Sequence, residues 1–180
     1  MDNFYYNLLN IGKKVMTQTE YESIIKKVVE EETKNIKKEN EDLSKLCIII
    51  SRKIKEHLKR LNISSKVINT KNIYDMYEHE FIISSYQDGN NNIMYYLIDP
   101  TYNQFKHKDE YDYGFPVLYS ADFLNKTEEG KKLYNNLITL GYSKIDDNDL
   151  KRYIGSIMYE DDINNIDINI EDLVLERRHK

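Results

Sequence analysis

Two runs that alternate apolar and polar residues, Glu78 to Tyr86 and Ile93 to Asp99, flank the segment Gln87-Asp88-Gly89-Asn90-Asn91-Asn92. A period of two is a strand pattern, and Asp, Gly and Asn are the residues that accept positive φ in a turn. The reading is an antiparallel hairpin, and a sheet built on it needs helices to cover its apolar surface. If residues 85 and 93 face one another, partner numbers sum to 178. Phe81 then stands against Leu97, and His79 directly opposite Asp99 on one face.

The covering helices are legible upstream. Tyr21, Ile24, Ile25, Val28 and Val29 follow helical spacing, with a charged outer face from Lys26 to Lys38, which predicts a helix over about 19–38. Asn40-Glu41-Asp42-Leu43-Ser44 breaks the period and offers Asp42 or Ser44 as an N-cap. Leu46, Cys47, Ile50, Ile54, Leu58 and Leu61 then form an apolar stripe at i, i+3/i+4 spacing, a second helix that ends where Asn62 can take the left-handed conformation. Lys66 to Asn69 reads as a short strand.

Downstream, Pro100 to Phe115 is a polar, tyrosine-rich loop, and Pro116 to Tyr119 a candidate last strand. Ser120 and Thr127 cap a short and a longer helix, the latter over about 128–140 and stopped by Gly141. Asp146 to Tyr159 is one more helix. The tail from Asp161 to Lys180 has ambiguous spacing, open to a docked strand, a helix or a partner-binding tail. The fold class is α+β in a single domain over 1–180, with a core at about 40–120, a helical segment at 1–39, and C-terminal helices and tail at 120–180.

Composition narrows the function. With 26 Lys+Arg against 31 Asp+Glu and the signs interleaved, no basic surface for nucleic-acid phosphates is expected. The longest apolar stretch, Leu46 to Ile50, is far short of a bilayer span, and residues 1–6 lack a cationic stretch leading into an apolar run. The expectation is a cytosolic protein, or one exported without an N-terminal signal peptide. A single cysteine, Cys47, allows neither an intrachain disulfide nor a multi-cysteine zinc ribbon. His57, ten residues along the same helix, lies about 15 Å from Cys47 at 1.5 Å per residue, so a zinc site with Cys47, His79 and Asp99 is not expected. No metal or other cofactor is called for, and His107 and His179 read as surface residues.

Chemistry centres on an ordered set. Cys47 lies in the first turn of its helix, where free backbone N–H groups and the positive dipole end stabilise a thiolate. His79 opens one strand of the hairpin and Asp99 closes the other. A cysteine nucleophile needs a base within hydrogen-bond reach, and that imidazole needs a carboxylate or amide to fix its tautomer and support its charged form.

These residues carry a resemblance. The strings Leu46-Cys47-Ile48-Ile49-Ile50-Ser51, His79-Glu80-Phe81-Ile82-Ile83 and Tyr96-Leu97-Ile98-Asp99-Pro100-Thr101-Tyr102-Asn103-Gln104-Phe105 resemble the core of the transglutaminase-like and papain-like cysteine superfamily. There a helix-borne Cys precedes a strand-opening His and a strand ending in Asp-Pro-Thr or Asp-Pro-Asn. The likeness covers about 60 residues, Leu46 to Phe105. It implies a Cys-bearing helix packed on an antiparallel sheet of three to four strands, with flanking helices. It also implies Cys47 as nucleophile, His79 as general base and acid, and Asp99 as the residue orienting the imidazole. Leu46, Ile48 and Phe81 depart from the family, whose members often carry Gly or Trp beside the cysteine and Trp two after the histidine.

Taken singly, each residue has a plain structural role open to it: Cys47 as core filling, His79 as a strand-start residue, Asp99 as a strand cap. Jointly they point to thiol acyl chemistry on a protein or peptide amide, by a cysteine protease or glutamine deamidase. The alternatives are an amine-accepting transglutaminase or acyltransferase, and a non-catalytic protein-interaction module on the same fold. An oxyanion hole would use the Cys47 backbone N–H, with Asn40 or Gln104 as side-chain donors; a cap or loop role is open to Asn40, and packing beneath the sheet edge to Gln104. Tyr86, Tyr95, Tyr96, Tyr102, Tyr111 and Tyr113 are candidates to line a substrate groove. The polar loop from Pro100 to Phe115 favours water over an amine as the acyl acceptor.

Overall fold

Helix α1, Gln18–Glu39, starts one residue before its predicted position, because Thr17 and Glu20 close a reciprocal capping box. Thr17 Oγ1 accepts the Glu20 N–H (3.2 Å) and Glu20 Oε2 accepts the Thr17 N–H (2.8 Å). The structure, a computed structural model, describes residues 15–39, 46–73, 78–102, 141–158, 160 and 162–175. Several expectations therefore lie outside the described residues: the caps at Asp42 and Ser44, the strand at Pro116 to Tyr119, the helices announced by Ser120 and Thr127, and the surface placement of His107 and His179.

Helix α2, Leu46–Arg60, carries the predicted stripe, with Leu46, Ile50, Ile54 and Leu58 buried. Its end is a Schellman motif. Asn62 adopts φ 57°, its N–H donates to the Lys59 carbonyl (3.0 Å), and the Ile63 N–H donates to the Leu58 carbonyl (2.9 Å). The chain thereby reverses and buries Ile63 beside Leu58, while Leu61, expected on the stripe, is turned outward and 39% exposed.

The sheet follows as β1 Ser64–Asn69, β2 Glu80–Gln87, β3 Ile93–Ile98 and β4 Tyr142–Lys144, in the order β1-β2-β3-β4, every neighbouring pair antiparallel. Residues Thr70–Asn72 form a 3-10 turn between β1 and β2. The described part of the chain is thus α+β with a four-stranded sheet, whose fourth strand is a short polar segment that no periodicity announced.

The β2–β3 hairpin is where expectation predicted, but its register differs. Ser85 faces Tyr95 and Ile82 faces Ile98, so partners sum to 180 rather than 178, and Asp99 is diagonal to His79 instead of directly opposite. The turn sets this. Asp88 N–H donates to the Asn92 carbonyl (2.9 Å), Asp88 Oδ1 accepts the N–H groups of Asn90 and Asn92 (2.8 Å each), and Asn91 takes φ 66°. A tight loop over 88–92 leaves Gln87 paired with Ile93. A shift of two in the sum preserves which face each side chain occupies, so His79 and Asp99 remain on the same side.

Both faces of the sheet are covered. On one, Tyr21, Ile25, Val28 and Val29 of α1 and the α2 stripe pack against Ile82, Tyr86, Tyr96 and Ile98. Fully burying one such Ile or Leu side chain contributes about 1.5–3 kcal/mol, against a fraction of that for exposed pairs such as Lys27–Glu31. The apolar stripe therefore fixes how α1 is rotated. Tyr21, Tyr86 and Tyr96 cluster here with ring centroids 4.5–6.1 Å apart. Their hydroxyl partners include Ser84 Oγ for Tyr21 and Glu22 for Tyr96.

On the other face, Ile68, Phe81, Ile83 and Leu97 meet helix α3, Asp147–Met158, through Leu150 and Ile154. The following segment adds Ile166, Ile168 and Ile170, with a 3-10 turn at Ile163–Asn165 and helix α4, Ile170–Leu175. The ambiguous tail, as far as residue 175, is therefore a docked, mostly helical strap. Among the described residues no helix is long and apolar enough to cross a membrane.

The left-handed Asn62 yields a stability test. Asn62→Ala is expected to lower unfolding free energy by about 1 kcal/mol, since a Cβ without Asn's local hydrogen bonding is strained there, whereas Asn62→Gly stays within a few tenths. Urea melts of the three proteins read the difference directly.

Candidate active site

Cys47 is the second residue of α2, and its side chain is only partly buried. Four residues on, on the same helix face, buried Ser51 donates through Oγ to the Glu80 carbonyl (3.0 Å). Its neighbour Arg52 forks onto the Glu80 carboxylate, Nη2 to Oε1 at 2.9 Å and Nε to Oε2 at 3.2 Å. Asn69 Nδ2, at the end of β1, donates to the same Oε1 (3.3 Å). Glu80 is thus the residue on which α2, β1 and β2 converge, and it directly follows His79.

His79 itself is held through its backbone. Its N–H donates to Thr70 Oγ1 (2.9 Å) and its carbonyl accepts the Thr70 N–H (2.9 Å). The ring is 1% exposed. Its Nε2 lies 2.9 Å from Asp99 Oδ2, and the Cys47 side chain stands near enough to the ring to favour its charged form. With Nε2 committed to Asp99, the nitrogen left for the thiol is Nδ1.

Asp99 is equally buried and receives four donors. Thr101 supplies its N–H (3.0 Å) and Oγ1 (2.8 Å) to Oδ1; His79 and the Tyr153 hydroxyl (2.7 Å) share Oδ2. A carboxylate removed from water at such depth needs this replacement of its hydration shell. The Asp99 backbone is fixed as well, its N–H donating to the Gly141 carbonyl at 2.6 Å. A Cβ at Gly141 would lie 2.1 Å from the Asp99 carbonyl oxygen. Only glycine lets the chain pass there, so residue 141, read from sequence as a helix stop, is part of the wall behind the carboxylate.

Electrostatics follow from the geometry. For His79, burial alone would depress basicity; the Asp99 charge and hydrogen bond, with the hydrogen bond and charge of Cys47, outweigh it and push the pKa from 6.5 up to about 10. For Asp99, burial likewise opposes ionisation and is overcome by the His79 charge and by hydrogen bonds from His79, Tyr153 and Thr101, leaving its pKa below the ordinary 3.8. The pair is an imidazolium and a carboxylate at neutral pH. Tyr153, partly buried with its hydroxyl against that carboxylate, has its pKa held well above 10 by desolvation and the Asp99 charge, so its phenol remains a neutral donor.

The structure therefore brings Cys47, His79 and Asp99 together. Asn40 and Gln104, the proposed oxyanion donors, lie outside the described residues, as do Tyr111 and Tyr113. Tyr86 and Tyr96 do not line a groove at this site. They are buried on the opposite sheet face, where strand parity puts them with Ile82 and Ile98. Tyr102 is at the site, its ring 5.5 Å from that of Tyr153 and its hydroxyl 2.9 Å from Ser156 Oγ. His57 is engaged elsewhere, its Nδ1 2.7 Å from Glu32 of α1. Among the described residues no three His, Cys, Asp or Glu side chains are grouped to hold a metal ion.

Tyr153 was not singled out from sequence, though a signal existed. Leu150, Tyr153, Ile154 and Ile157 form the apolar stripe of an amphipathic helix, and a tyrosine on such a stripe brings a hydroxyl that must find a buried partner. No protein-family model matches the chain, and neither a curated protein nor a solved structure matches it.

The pair makes stability depend on pH with a definite sign. His79, with a raised folded pKa, contributes fully below 6.5 and loses that contribution as pH rises towards about 10; Asp99, with a lowered one, contributes fully above 3.8 and loses it as pH falls below that. The pair's stabilisation should be greatest between about pH 4 and 6.5. Asp99→Asn removes the countercharge and leaves burial opposed by Cys47 alone, so the His79 pKa should fall well below about 10. Nitrogen-15 NMR of the histidine rings in both proteins tests this; a wild-type His79 that deprotonates near pH 6.5 would contradict it.

Proposed function

We propose that this chain performs thiol-dependent acyl chemistry on a protein or peptide amide. The observation that carries the reading is the buried His79 ring, bonded to Asp99 through Nε2 and near enough to the Cys47 side chain for that group to raise its basicity. A purely structural histidine needs no thiol near it, and a purely structural cysteine needs no buried cation near it. Further support comes from the order of Cys, His and Asp on a helix, a strand start and a strand end. This order agrees with a transglutaminase-like or papain-like arrangement, in which the imidazole stands between thiol and carboxylate.

In this reading the Cys47 sulfur, as thiolate, attacks the amide carbon and a C–S bond forms. The tetrahedral intermediate collapses as the C–N bond breaks, and His79 gives its Nδ1 proton to the departing amine. Neutral His79 then takes a proton from the acceptor as that attacks the thioester, the C–S bond breaks, and the thiolate and imidazolium are restored. Asp99 keeps Nε2 protonated throughout and supports the positive ring. The polar composition of residues 100–115 favours water as acceptor, giving a protease or deamidase.

Alkylation kinetics test the pairing. The native protein should react with iodoacetamide at pH 6 at least about tenfold faster than a free cysteine, whose pKa of about 8.5 leaves little thiolate there. His79→Ala should remove most of the advantage. Labelling of Cys47 only after unfolding would show a structural thiol and defeat the reading.

A further inference from the structure

Tyr153 is partly buried and brings to the ion pair a hydroxyl that the chemistry above does not use. Its hydroxyl lies 2.7 Å from Asp99 Oδ2 and 3.3 Å from His79 Nε2, so it meets the ion pair at the atom where the two partners join. Packing fixes it there. Its ring stands edge-on to Phe81 at 4.9 Å, and one turn away along α3 Ser156 Oγ donates to the Tyr153 carbonyl (2.7 Å). Helix α3 cannot withdraw easily, since Ile154 and Ile157 are buried and the chain returns so tightly that a Cβ at Gly155 would lie 2.9 Å from the Glu160 carbonyl oxygen.

Resting on the acyl-chemistry reading, we infer that Tyr153 is a positioning residue that acts through Asp99: its phenol holds Oδ2 charged and aimed at His79. The physical case is one of donor supply. Asp99 Oδ1 is satisfied by Thr101, whereas Oδ2 has His79 and Tyr153. At this depth of burial a carboxylate oxygen bonded only to imidazolium is under-solvated, and proton transfer from His79 to Asp99 becomes easier. A neutral phenol that cannot lose its own proton at working pH stabilises the carboxylate without competing for the charge. Among the described residues, the charged and titratable groups around Asp99 are His79 from the β2 entry, Cys47 from α2, and Tyr153 with Tyr102 beyond it. No other is needed for the effect. Helix α3 thereby belongs to the site and is not merely a cover for the sheet.

Tyr153→Phe keeps the ring and removes the donor. Loss of one charge-assisted hydrogen bond should raise the pH at which Asp99 protonates by about one unit, seen as an upward shift of the acid limb both in Cys47 alkylation rate and in carboxyl carbon-13 NMR of Asp99. Phe81→Leu, which disturbs the same packing but no hydroxyl, should lower the melting temperature and leave that midpoint in place. As a check that keeps the hydroxyl, 3-fluorotyrosine at position 153 in the otherwise unaltered chain should show a fluorine resonance that moves in step with Asp99 protonation. An unmoved midpoint in Tyr153→Phe, an equal movement in Phe81→Leu, or a fluorine signal blind to Asp99 would each overturn the inference. The carbon-13 and fluorine readings need no enzymatic activity, so they separate its failure from failure of the thiol chemistry, which the alkylation rate of the unaltered protein reports.

Discussion

A carboxylate and an imidazolium, each 1% exposed, sit 2.9 Å apart at the end of the central hairpin. Neither charge could remain there alone. An unpaired ionised group at that depth would take up or release a proton, so each ionisation state depends on the other and on the donors that surround them. That dependence explains the company the pair keeps: two donors from Thr101, one from Tyr153, and the Gly141 carbonyl fixing the Asp99 backbone. A packed hydrophobic pair would fill the same space with less risk to stability. Its replacement by a buried ion pair, with a partly exposed thiol near the imidazole, is the feature that a functional reading best accounts for.

Three elements distant in sequence share the work of holding this arrangement. Helix α2 brings Cys47, and is itself tied to the strand entry by Ser51 and Arg52 on Glu80, one residue from His79. The hairpin brings His79 and Asp99 to the same face by parity. Helix α3 brings Tyr153 from below. The two hydrophobic cores therefore serve different ends of the site: the one beneath α1 and α2 sets where the thiol stands, and the one beneath α3 and α4 sets what the carboxylate touches.

Much of this was legible from local pattern. The stripe from Leu46 to Leu58 gave α2, alternation gave β2 and β3, and Asn62 was identified as the left-handed stop. The helix from Asp146 lies within a residue of prediction, because Asp146 and Asp149 cap one another. What was not legible depended on contacts without local periodicity. The hairpin sum of 180 is decided by side-chain bonds inside a loop of Asp and Asn, whose composition announces a turn but not its length. Strand β4 has three residues and exists because β3 offers an edge. Leu61 fitted the helical stripe by type, yet the Schellman turn hands its place to Ile63. For the candidate site, order and chemistry single out Cys47, His79 and Asp99 as candidates, whereas Gly141 and Tyr153 enter only through tertiary packing.

The central claim, that Cys47, His79 and Asp99 act as one catalytic unit, is tested most directly by trapping the acyl-enzyme. The folded protein is mixed with a p-nitrophenyl ester at neutral pH, quenched in acid, and weighed intact before peptide mapping. A single acyl group per chain, carried as a thioester on Cys47 and missing from a folded His79→Ala protein, is the predicted result. Acyl groups on lysines alone, or equal labelling of Cys47 with and without His79, would contradict it.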